Sequence, residues 1–251
     1  AVLAMIEMAR AWSGGSLILA VGNSLAGYPI VKFGTDMQKN RWLPDLASGK
    51  ILGCFGLTEP DYGSDAANIA TYAELQPTSA RHVFGTKRFI TNAPVAKFII
   101  LSCRTNRAIK GRRGISTFVV EMERHQFSGL TTSPPNRKLG LHAAQMGDVV
   151  FEKYPIFQNE LLGDENKCFR VPMITLNHGR NWIAAQGIGL MEYALELALD
   201  YARSRITFGE ALISHSNIYN IISELALAID VSKILLFYAA KLEDEGKEFY
   251  P

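Results

Sequence analysis

The spacing of apolar residues changes twice along the chain. Residues 1 to about 49 show helical spacing. Between residue 51 and about residue 154 the period drops toward two, in short runs bounded by Gly, Pro and Asn. Helical spacing returns from about residue 166. The pattern predicts helices, then a β-rich middle part, then long helices, in an α+β protein.

The first segment is predicted to contain broken helices. Glycines and a proline interrupt the periodicity at residues 14–15 and 27–29. The stretch "DMQKNRWLPDLASGK" carries apolar residues at helical spacing, which predicts an amphipathic helix that ends at Gly49. We interpret residues 1–50 as the end of an N-terminal helical domain.

The middle segment is predicted to be a β-barrel. Its strand-like runs are rich in Val, Ile, Phe and Thr: "ARHVFGTKRFIT", "KFIILSCRT", "ISTFVVEME" and "GDVVFEKY". Repeated short strands with tight connections favour an antiparallel barrel or sandwich. We assign this domain to residues 51–160.

The last segment contains two long helical patterns. They are "VPMITLNHGRNWIAAQGIGLMEYALELALDYARSR" and "NIYNIISELALAIDVSKILLFYAAKLEDEG". Apolar faces this wide cannot be buried by two helices alone. We therefore expect residues 161–251 to be the first part of a C-terminal helical bundle, completed by further chain or by another subunit.

Charge and composition narrow the function classes. The 251 residues are 48% hydrophobic and carry a net charge of +2, which indicates a globular protein of one large or two smaller domains. One basic cluster, from Arg104 to Arg113, is more typical of a solvated loop than of a nucleic-acid interface. Nucleic acid is therefore not an expected partner.

The cysteines and histidines indicate neither disulfides nor a metal site. Cys54, Cys103 and Cys168 form no CxxC pair, and the five histidines are scattered. We expect an intracellular, reducing compartment: cytoplasm, mitochondrial matrix or peroxisome. The apolar stretches read as too short or too interrupted to span a bilayer, and the start "AVLAMIEMAR" lacks the basic region of a signal peptide. That start resembles the middle of a helix, as if upstream residues had been removed.

The polar stretch "GLTEPDYGSD" follows a short apolar run, "ILGCF". Backbone N–H groups near Leu57 and the hydroxyl of Thr58 could face a planar ligand rich in hydrogen-bond acceptors. Gly63 would allow close approach of the backbone, and Ser64 offers another donor. The alternative interpretation is a capping turn over residues 61–65 with no ligand.

A second stretch, "GTKRFITNA", offers complementary chemistry. Phe89 and Thr91 are two residues apart on a predicted strand, and therefore on the same face, before a turn at Asn92. An aromatic ring beside a hydroxyl could pack on a heterocycle and hydrogen-bond its edge. The alternative is a half-buried strand with Phe89 in the core.

Taken in order, four motifs resemble the acyl-CoA dehydrogenase family of flavoproteins. They are "LTEPDYGSD", "GTKRFITNA", "RKLGLHAAQMGDVVFEKY" and "ARSRITFGEAL". The resemblance implies a helical segment, an antiparallel β-barrel middle domain and a C-terminal helical bundle, truncated here at both ends. The motif "TEPDYGSDA" is also similar to sequences of the glutaryl-CoA dehydrogenase and short-chain acyl-CoA oxidase branch.

The resemblance implies FAD as the cofactor. The flavin would lie on the loop and on the second motif, with Phe89 where the family usually has Trp and Thr91 near flavin N5. Gly63 and Ser64 fall where the family contacts the cofactor phosphates and the incoming acyl-CoA. The positions implied for FAD within one subunit are Phe55, Leu57, Thr58, Gly63, Ser64, Phe89 and Thr91.

Two further groups of residues follow from the resemblance. Arg205, Thr207 and Phe208 match the motif that reaches the FAD of a neighbouring subunit, which implies a homodimer or homotetramer. The acyl-CoA site would include Ser64 together with Asn177 and Arg180.

The chain also departs from the family pattern. His142, Ala144 and Met146 replace a more usual Arg, Ser and Thr pattern, and Ser216 stands where Gln is common. The usual catalytic glutamate of the family lies beyond the equivalent of Pro251.

Some members place the base immediately before the arginine that Arg180 matches. That residue here is Gly179, which cannot accept a proton. His178 is a conceivable substitute, although a helix-packed histidine is the more common role. The catalytic residue is therefore left unassigned.

The implied function is FAD-dependent α,β-dehydrogenation of an acyl-CoA thioester by the intact protein, with hydride transfer to flavin N5. The electron acceptor would be an electron-transfer flavoprotein or oxygen. Alternatives on the same fold are an acyl-CoA oxidase, a flavin monooxygenase, or a non-catalytic member that has lost the base.

Overall fold

The computed structural model describes residues 1–123, 127–166 and 169–249. Cys168, one of the cysteines discussed above, lies outside these residues. The chain divides into two compact units. We name Ile18–Gly179 the sheet unit, and Ala1–Leu17 together with Arg180–Pro251 the helical unit.

The α-helices agree with the predicted helical segments. A π-helical stretch joins the first two, and short 3-10 turns occur between strands. The helices are α1 (Val2–Ala20), α2 (Tyr28–Phe33), α3 (Asp36–Ala47), α4 (Arg170–Ser204) and α5 (Ser216–Asp244), and the π-helical stretch is Val21–Gly27.

Helix α3 is the amphipathic helix predicted before Gly49. It ends at Ala47, two residues earlier than predicted, and Gly49 follows at a positive φ of 73°. Its start is fixed by a capping box, in which the side chain of Thr35 accepts from Gln38 N and the side chain of Gln38 accepts from Thr35 N. Trp42 on α3 is buried and faces the sheet.

The strands form one large sheet and one small hairpin. The order of the large sheet is β6-β7-β3-β2-β4-β5-β8, with β1 paired to β4. The strands are β1 (Gly53–Gly56), β2 (Tyr72–Leu75), β3 (Arg81–Thr91), β4 (Phe98–Arg104), β5 (Ile115–Glu121), β6 (Leu130–Thr132), β7 (Met146–Ile156), β8 (Leu161–Leu162), β9 (Ile206–Thr207) and β10 (Glu210–Ala211).

The sheet is mixed, whereas the sequence predicted antiparallel pairing. β1 and β2 both run parallel to β4, and the remaining pairs are antiparallel. Parallel neighbours need a crossover rather than a tight turn. Here the chain passes through the β2–β3 hairpin before β4 returns beside β1, so local turn signals could not reveal the pairing.

The centre of the sheet is buried on both faces. Alternate residues of β4 contribute to two apolar clusters, with Ile99 and Leu101 in one and Phe98 and Ile100 in the other. The second cluster includes Trp42, so helices cover that face. Burial on both faces explains why β4 has an uninterrupted apolar run instead of alternation.

Within the helical unit, α1 has a kink at Trp12, where φ and ψ are −159° and 89°. The predicted break was at residues 14–15. A Cβ on Gly15 would lie 2.3 Å from the Trp12 ring, so glycine is required for this local packing.

Both long helices of the helical unit expose large apolar side chains. On α4 they include Ile183, Leu190, Leu197 and Tyr201, and on α5 they include Tyr219, Leu225, Leu227, Ile234, Leu235 and Tyr238. Isolated exposed apolar residues are ordinary, but a series along two helices is typical of surfaces that pack against other elements.

The N-terminal helical run contradicts one sequence expectation. Val2–Phe33 is long and apolar enough to cross a membrane by length and composition. Its most apolar part is 61% buried inside the structure, as in the core helix of a globular protein. The interruptions by Gly, Asn and Ser had suggested that no stretch would pass this criterion.

Candidate functional site

The structure brings the loop after β1 against β3. Arg88 donates its backbone N–H to the carbonyl of Thr58 over 2.8 Å. This hydrogen bond joins the stretch "GLTEPDYGSD" to the stretch "GTKRFITNA", which are separate in sequence. Thr58 is half-buried. Phe89, the residue that follows Arg88, is exposed.

An ion pair lies beneath this junction. Lys87 Nζ is 2.6 Å from Glu59 Oε1, and Lys87 also donates to the carbonyl of Leu57 over 3.1 Å. Burial raises the pKa of Glu59, but the attraction of Lys87 and hydrogen bonds from Thr71 and Ala70 outweigh it and hold the pKa below its usual value.

Sequence reasoning did not single out Lys87 or its pairing with Glu59. A signal was present, since Lys87 lies four residues after the buried Val83 on the same strand and so on the same face under regular alternation. A charged side chain on the core face needs a buried partner of opposite charge. The sequence did not show which acid supplies it.

Strand β3 contains a bulge at the predicted flavin contact. Lys87 pairs with Val149 and Ile90 pairs with Gly147, so two residues of β3 oppose Asp148 alone. Phe89 lies in the bulge with a positive φ of 58°. A bulky residue with positive φ is rare and strained, and such residues concentrate at functional sites.

The bulge turns Phe89 away from the core. Its side chain is 54% exposed, which excludes the alternative of a core phenylalanine. Asp148 Oδ1 accepts the Phe89 N–H over 3.1 Å, and the Arg88 guanidinium lies 5.1 Å from the ring centroid. The bulge interrupts the alternation between Lys87 and Phe89, whereas the pairing from Ile90 to Thr91 is regular. Phe89 is exposed, Ile90 is buried and Thr91 is half-buried outside the apolar core clusters, so a shared face for Phe89 and Thr91 stays a prediction.

The predicted turn at Asn92 is confirmed. Asn92 has a left-handed φ of 68° and donates its backbone N–H to the carbonyl of Gln145. Its side chain also donates to the carbonyl of Gly53 over 3.4 Å. The turn therefore fixes the end of β3 against the start of β1.

The remaining loop residues differ in what they can offer a ligand. The Leu57 side chain packs in an apolar cluster with Ile69 and Ile115, so any contact it makes with a cofactor is through its backbone. Phe55 is half-buried against two clusters. Gly63 has no atom within 4 Å of the place where a Cβ would lie. The packing of the described residues therefore does not require a glycine at this position.

The capping-turn alternative for the loop accounts for part of it. Glu59 and Tyr62 exchange backbone hydrogen bonds, and Asp65 precedes a 3-10 turn, Ala66–Asn68. Asp65 makes no side-chain cap, and its carboxylate instead accepts from Asn68 Nδ2. Ser64 is exposed between these two turns.

In the helical unit the motif "RITFGEA" forms a β-hairpin. Phe208 and Gly209 make the two-residue turn between β9 and β10, and both have positive φ, as a tight hairpin with twisted strands requires. Phe208 is 99% exposed at the tip. Thr207 Oγ1 lies 3.0 Å from His215 Nε2, and Arg205 is exposed at the base of the hairpin.

Helix α4 carries the predicted acyl-CoA contacts Asn177, which is half-buried, and Arg180, which is exposed. Between them, the His178 ring stacks on Tyr28 with centroids 3.9 Å apart. A Cβ on Gly179 would lie 2.9 Å from Leu25 Cδ2. The position is therefore closely packed as well as lacking a proton acceptor.

The segment that departs from the family pattern forms a loop closed by its own hydrogen bonds. His142 Nε2 lies 2.7 Å from the carbonyl of Lys138, and Lys138 Nζ contacts the carbonyls of Leu141 and Ala144. Ala144 is fully buried, and Met146 begins β7 half-buried. Ser216, in the helical unit, begins α5.

The basic cluster is not uniformly a solvated loop. Arg104 donates to the backbone carbonyls of Ala67, Ile69, Ile109 and Gly111, and therefore closes the loop after β4. A cavity of about 690 Å³ in the sheet unit opens beside the start of α4. Its lining residues are Ile109, Arg112, Arg113, Glu165, Asn166, Phe169, Arg170 and Met173.

The described cysteines are not nucleophiles. Cys54 and Cys103 are free and fully buried. Burial raises the pKa of the Cys103 thiol to about 12 and also raises that of Cys54, so both stay protonated. In the part of the chain that the structure describes, no group of three or more His, Cys, Asp or Glu could hold a metal ion.

Three models of one protein family together match most of the chain. Residues 1–50 match the family model "Acyl-CoA dehydrogenase, N-terminal domain", residues 54–154 match the middle domain, and residues 166–250 match the C-terminal domain. The short-chain specific acyl-CoA dehydrogenase of Bos taurus mitochondria is 38% identical over 247 residues. That match covers 98% of this chain and 59% of the bovine protein.

Solved structures show the same fold. Butyryl-CoA dehydrogenase from Megasphaera elsdenii superposes with a TM-score of 0.93 at 35% identity, covering 99% of this chain and 64% of the other. A glutaryl-CoA dehydrogenase in complex with glutaryl-CoA gives a TM-score of 0.92 at 31% identity, covering 98% and 61%. The chain thus spans about three fifths of the length of these relatives.

Proposed function

Because the chain belongs to the acyl-CoA dehydrogenase family, we propose that the intact protein binds FAD and dehydrogenates an acyl-CoA thioester between Cα and Cβ. The observation that carries the proposal is the 2.8 Å hydrogen bond between Arg88 N and Thr58 O. It joins the two stretches whose side chains suit a flat heterocycle. The strained bulge at Phe89 supports a ligand at this junction.

Each residue has a part in holding the flavin. The Thr58 and Thr91 hydroxyls hydrogen-bond its polar edge, and the exposed Phe89 ring packs on its face. Phe55 and the Leu57 backbone border the ring, while Gly63 and Ser64 admit the phosphates. When bound, FAD supplies the acceptor for the hydride that leaves the β-carbon.

The substrate side of the site involves three residues. Ser64 and Asn177 offer hydrogen bonds to the thioester's pantetheine chain, and the Arg180 guanidinium offers a charge for a CoA phosphate. The base that removes the α-proton is not assigned to a residue of this chain, because Gly179 has no side chain and His178 is stacked on Tyr28.

The assembly and the electron acceptor are part of the same proposal. Arg205, Thr207 and Phe208 bind the FAD of a neighbouring subunit in a homodimer or homotetramer, which suits the exposure of Arg205 and Phe208. An electron-transfer flavoprotein or oxygen reoxidises the flavin. Relatives from mitochondria and from bacteria support an intracellular, reducing setting.

Anaerobic titration of the intact protein tests the proposal. The purified protein should show a flavin absorption band, and butyryl-CoA or glutaryl-CoA should reduce it without added reductant. Reoxidation by ferricenium but not by air would support a dehydrogenase rather than an oxidase. A protein that binds no flavin after reconstitution, or whose flavin no acyl-CoA reduces, would contradict the proposal.

A further inference from the structure

The buried pair behind Thr58 is not explained by stability alone. The exposed fractions of the Lys87 and Glu59 side chains are 0% and 4%. Removing two charges from water often costs as much free energy as their attraction returns, and apolar side chains of similar size frequently stabilise such positions as well or better. A different reason for the pair follows from what it connects.

The pair joins three separate segments of the sheet unit. Lys87 projects from β3 and donates to the carbonyl of Leu57 as well as to Glu59. The Glu59 carboxylate in turn accepts the backbone N–H groups of Ala70 over 2.6 Å and Thr71 over 3.0 Å, just before β2. Strand β3, the loop after β1 and the entrance to β2 are therefore held through one ion pair.

Thr58 lies between the two loop residues that Lys87 contacts. The Thr58 carbonyl accepts the backbone N–H of Arg88, the residue that follows Lys87 on β3. Lys87 thus holds the residues on both sides of Thr58, and Arg88 holds Thr58 itself. The next residue on β3 is Phe89, which has a positive φ of 58°.

We infer that Lys87 and Glu59 are positioning residues that hold Thr58 and the Phe89 bulge in the arrangement that binds the flavin ring. The inference rests on the FAD binding proposed above. Both side chains are buried behind the loop, so they act through Thr58 and Phe89 and not by contact with the ligand. A site fixed before the ligand arrives loses less conformational freedom on binding, and therefore binds more tightly.

Replacing the pair by uncharged side chains tests the inference in the intact protein. Lys87→Met with Glu59→Gln keeps the approximate volume, removes both charges and leaves an amide oxygen that can accept from the N–H groups of Ala70 and Thr71. We expect the apoprotein to retain its fold with an unfolding temperature within about 5 °C of the parent. The FAD dissociation constant should rise about tenfold or more, as expected when contact groups lose their alignment.

Lys97→Met is the matched control, because it breaks a surface pair, 2.9 Å from Lys97 Nζ to Glu123 Oε2, in the same unit. This variant should bind FAD as the parent does. Unchanged FAD affinity in the folded double variant would overturn the inference. Failure of the parent to bind FAD would instead refute the proposed function, so the two outcomes are distinguishable.

Hydrogen exchange provides a second test if the double variant does not fold. Glu59→Gln keeps the size of the side chain and one acceptor oxygen but weakens the bond to Lys87. Backbone amides of residues 57–62 should exchange faster in the apoprotein, while those of β4 and β5 keep their protection. A uniform change across the sheet would show a purely structural role and overturn the inference.

Discussion

The imidazole ring of His178 lies flat against the phenol ring of Tyr28, with centroids 3.9 Å apart and planes inclined by 9°. This contact favours the helix-packed role for the histidine over that of a catalytic base. The following residue, Gly179, faces Leu25 and has no proton acceptor. The position where some family members carry their base is therefore filled by packing contacts.

We predict that acyl-CoA does not reduce the flavin of the 251-residue chain after reconstitution with FAD. Three acids near the implied site or along α4 are engaged elsewhere: Glu59 binds Lys87, Asp65 accepts from Asn68, and Glu192 binds Lys233. Without a positioned carboxylate the α-proton of a thioester is too weakly acidic to leave at neutral pH. Butyryl-CoA, glutaryl-CoA and a long-chain acyl-CoA should each leave the flavin band unchanged under anaerobic conditions.

Enzymatic reduction of that flavin would show that a base was overlooked, and His178→Gln would be the first variant to make. A variant that supplies the carboxylate provides the complementary test. A Cβ at residue 179 would lie 2.9 Å from Leu25 Cδ2, the end of a side chain that can move, so Gly179→Glu should gain activity and Leu25→Ala should increase that gain. Leu25→Ala alone is the matched control and should remain inactive.

Flavin affinity should depend on the two threonine hydroxyls. Thr58→Val together with Thr91→Val should weaken FAD binding by about 1 to 3 kcal/mol, as two lost hydrogen bonds to a buried ligand would. Thr132→Val on the exposed strand β6 is the control and should not alter affinity. Titration of the apoprotein with FAD measures the effect. Equal affinity in the double variant would mean that the isoalloxazine binds elsewhere.

Replacing Phe89 should stabilise the apoprotein but weaken FAD binding. Asparagine tolerates positive φ better than phenylalanine, so Phe89→Asn should raise the free energy of unfolding of the apoprotein by about 0.5 kcal/mol while it weakens FAD binding. Ser79→Asn is the control, because Ser79 also has a positive φ, 64°, in an exposed turn. It should affect stability alone. Urea unfolding and FAD titration distinguish the two effects, and tighter FAD binding by Phe89→Asn would contradict the assignment.

The ion pair should make stability depend on pH in the acidic range. The folded state holds the pKa of Glu59 below the ordinary value of 4.5. Its contribution is therefore complete above that ordinary value and is lost as the pH falls through the lower folded-state pKa. The difference in free energy of unfolding between the parent and Glu59→Gln should be constant near neutral pH and shrink below 4.5. A difference that grows with acidity would contradict the sign of the shift.

Arg205 should act on a cofactor bound mainly by another subunit. Arg205→Ala should lower FAD affinity without unfolding the protein, because the guanidinium is exposed and its proposed partner is a phosphate. Mixed oligomers with the Thr58→Val, Thr91→Val variant should recover some sites. Mixtures that bind no more flavin than the separate variants would show Arg205 to be an ordinary surface residue.

The sequence by itself determined the elements and the family. Periodicity located α3, the long helices and the main strands, because the repeat of apolar residues directly reflects which face of each element is buried. A short motif also specified local geometry, as in the turn at Asn92. These features depend on neighbours within a few residues, which the sequence displays directly.

Only the tertiary structure decided how these pieces form a site. The parallel pairing of β1 with β4 and the pairing of Lys87 with Glu59, which are 28 residues apart, both depend on contacts between distant segments. The bulge at Phe89 depends on the register of β7 against β3. A buried charge indicates that a partner of opposite charge exists, but not which residue it is. The alternation of apolar residues in one strand does not show in which register the neighbouring strand pairs with it. The positions of Thr58 and Phe89 were therefore set by the fold, although their chemistry could be read from the sequence.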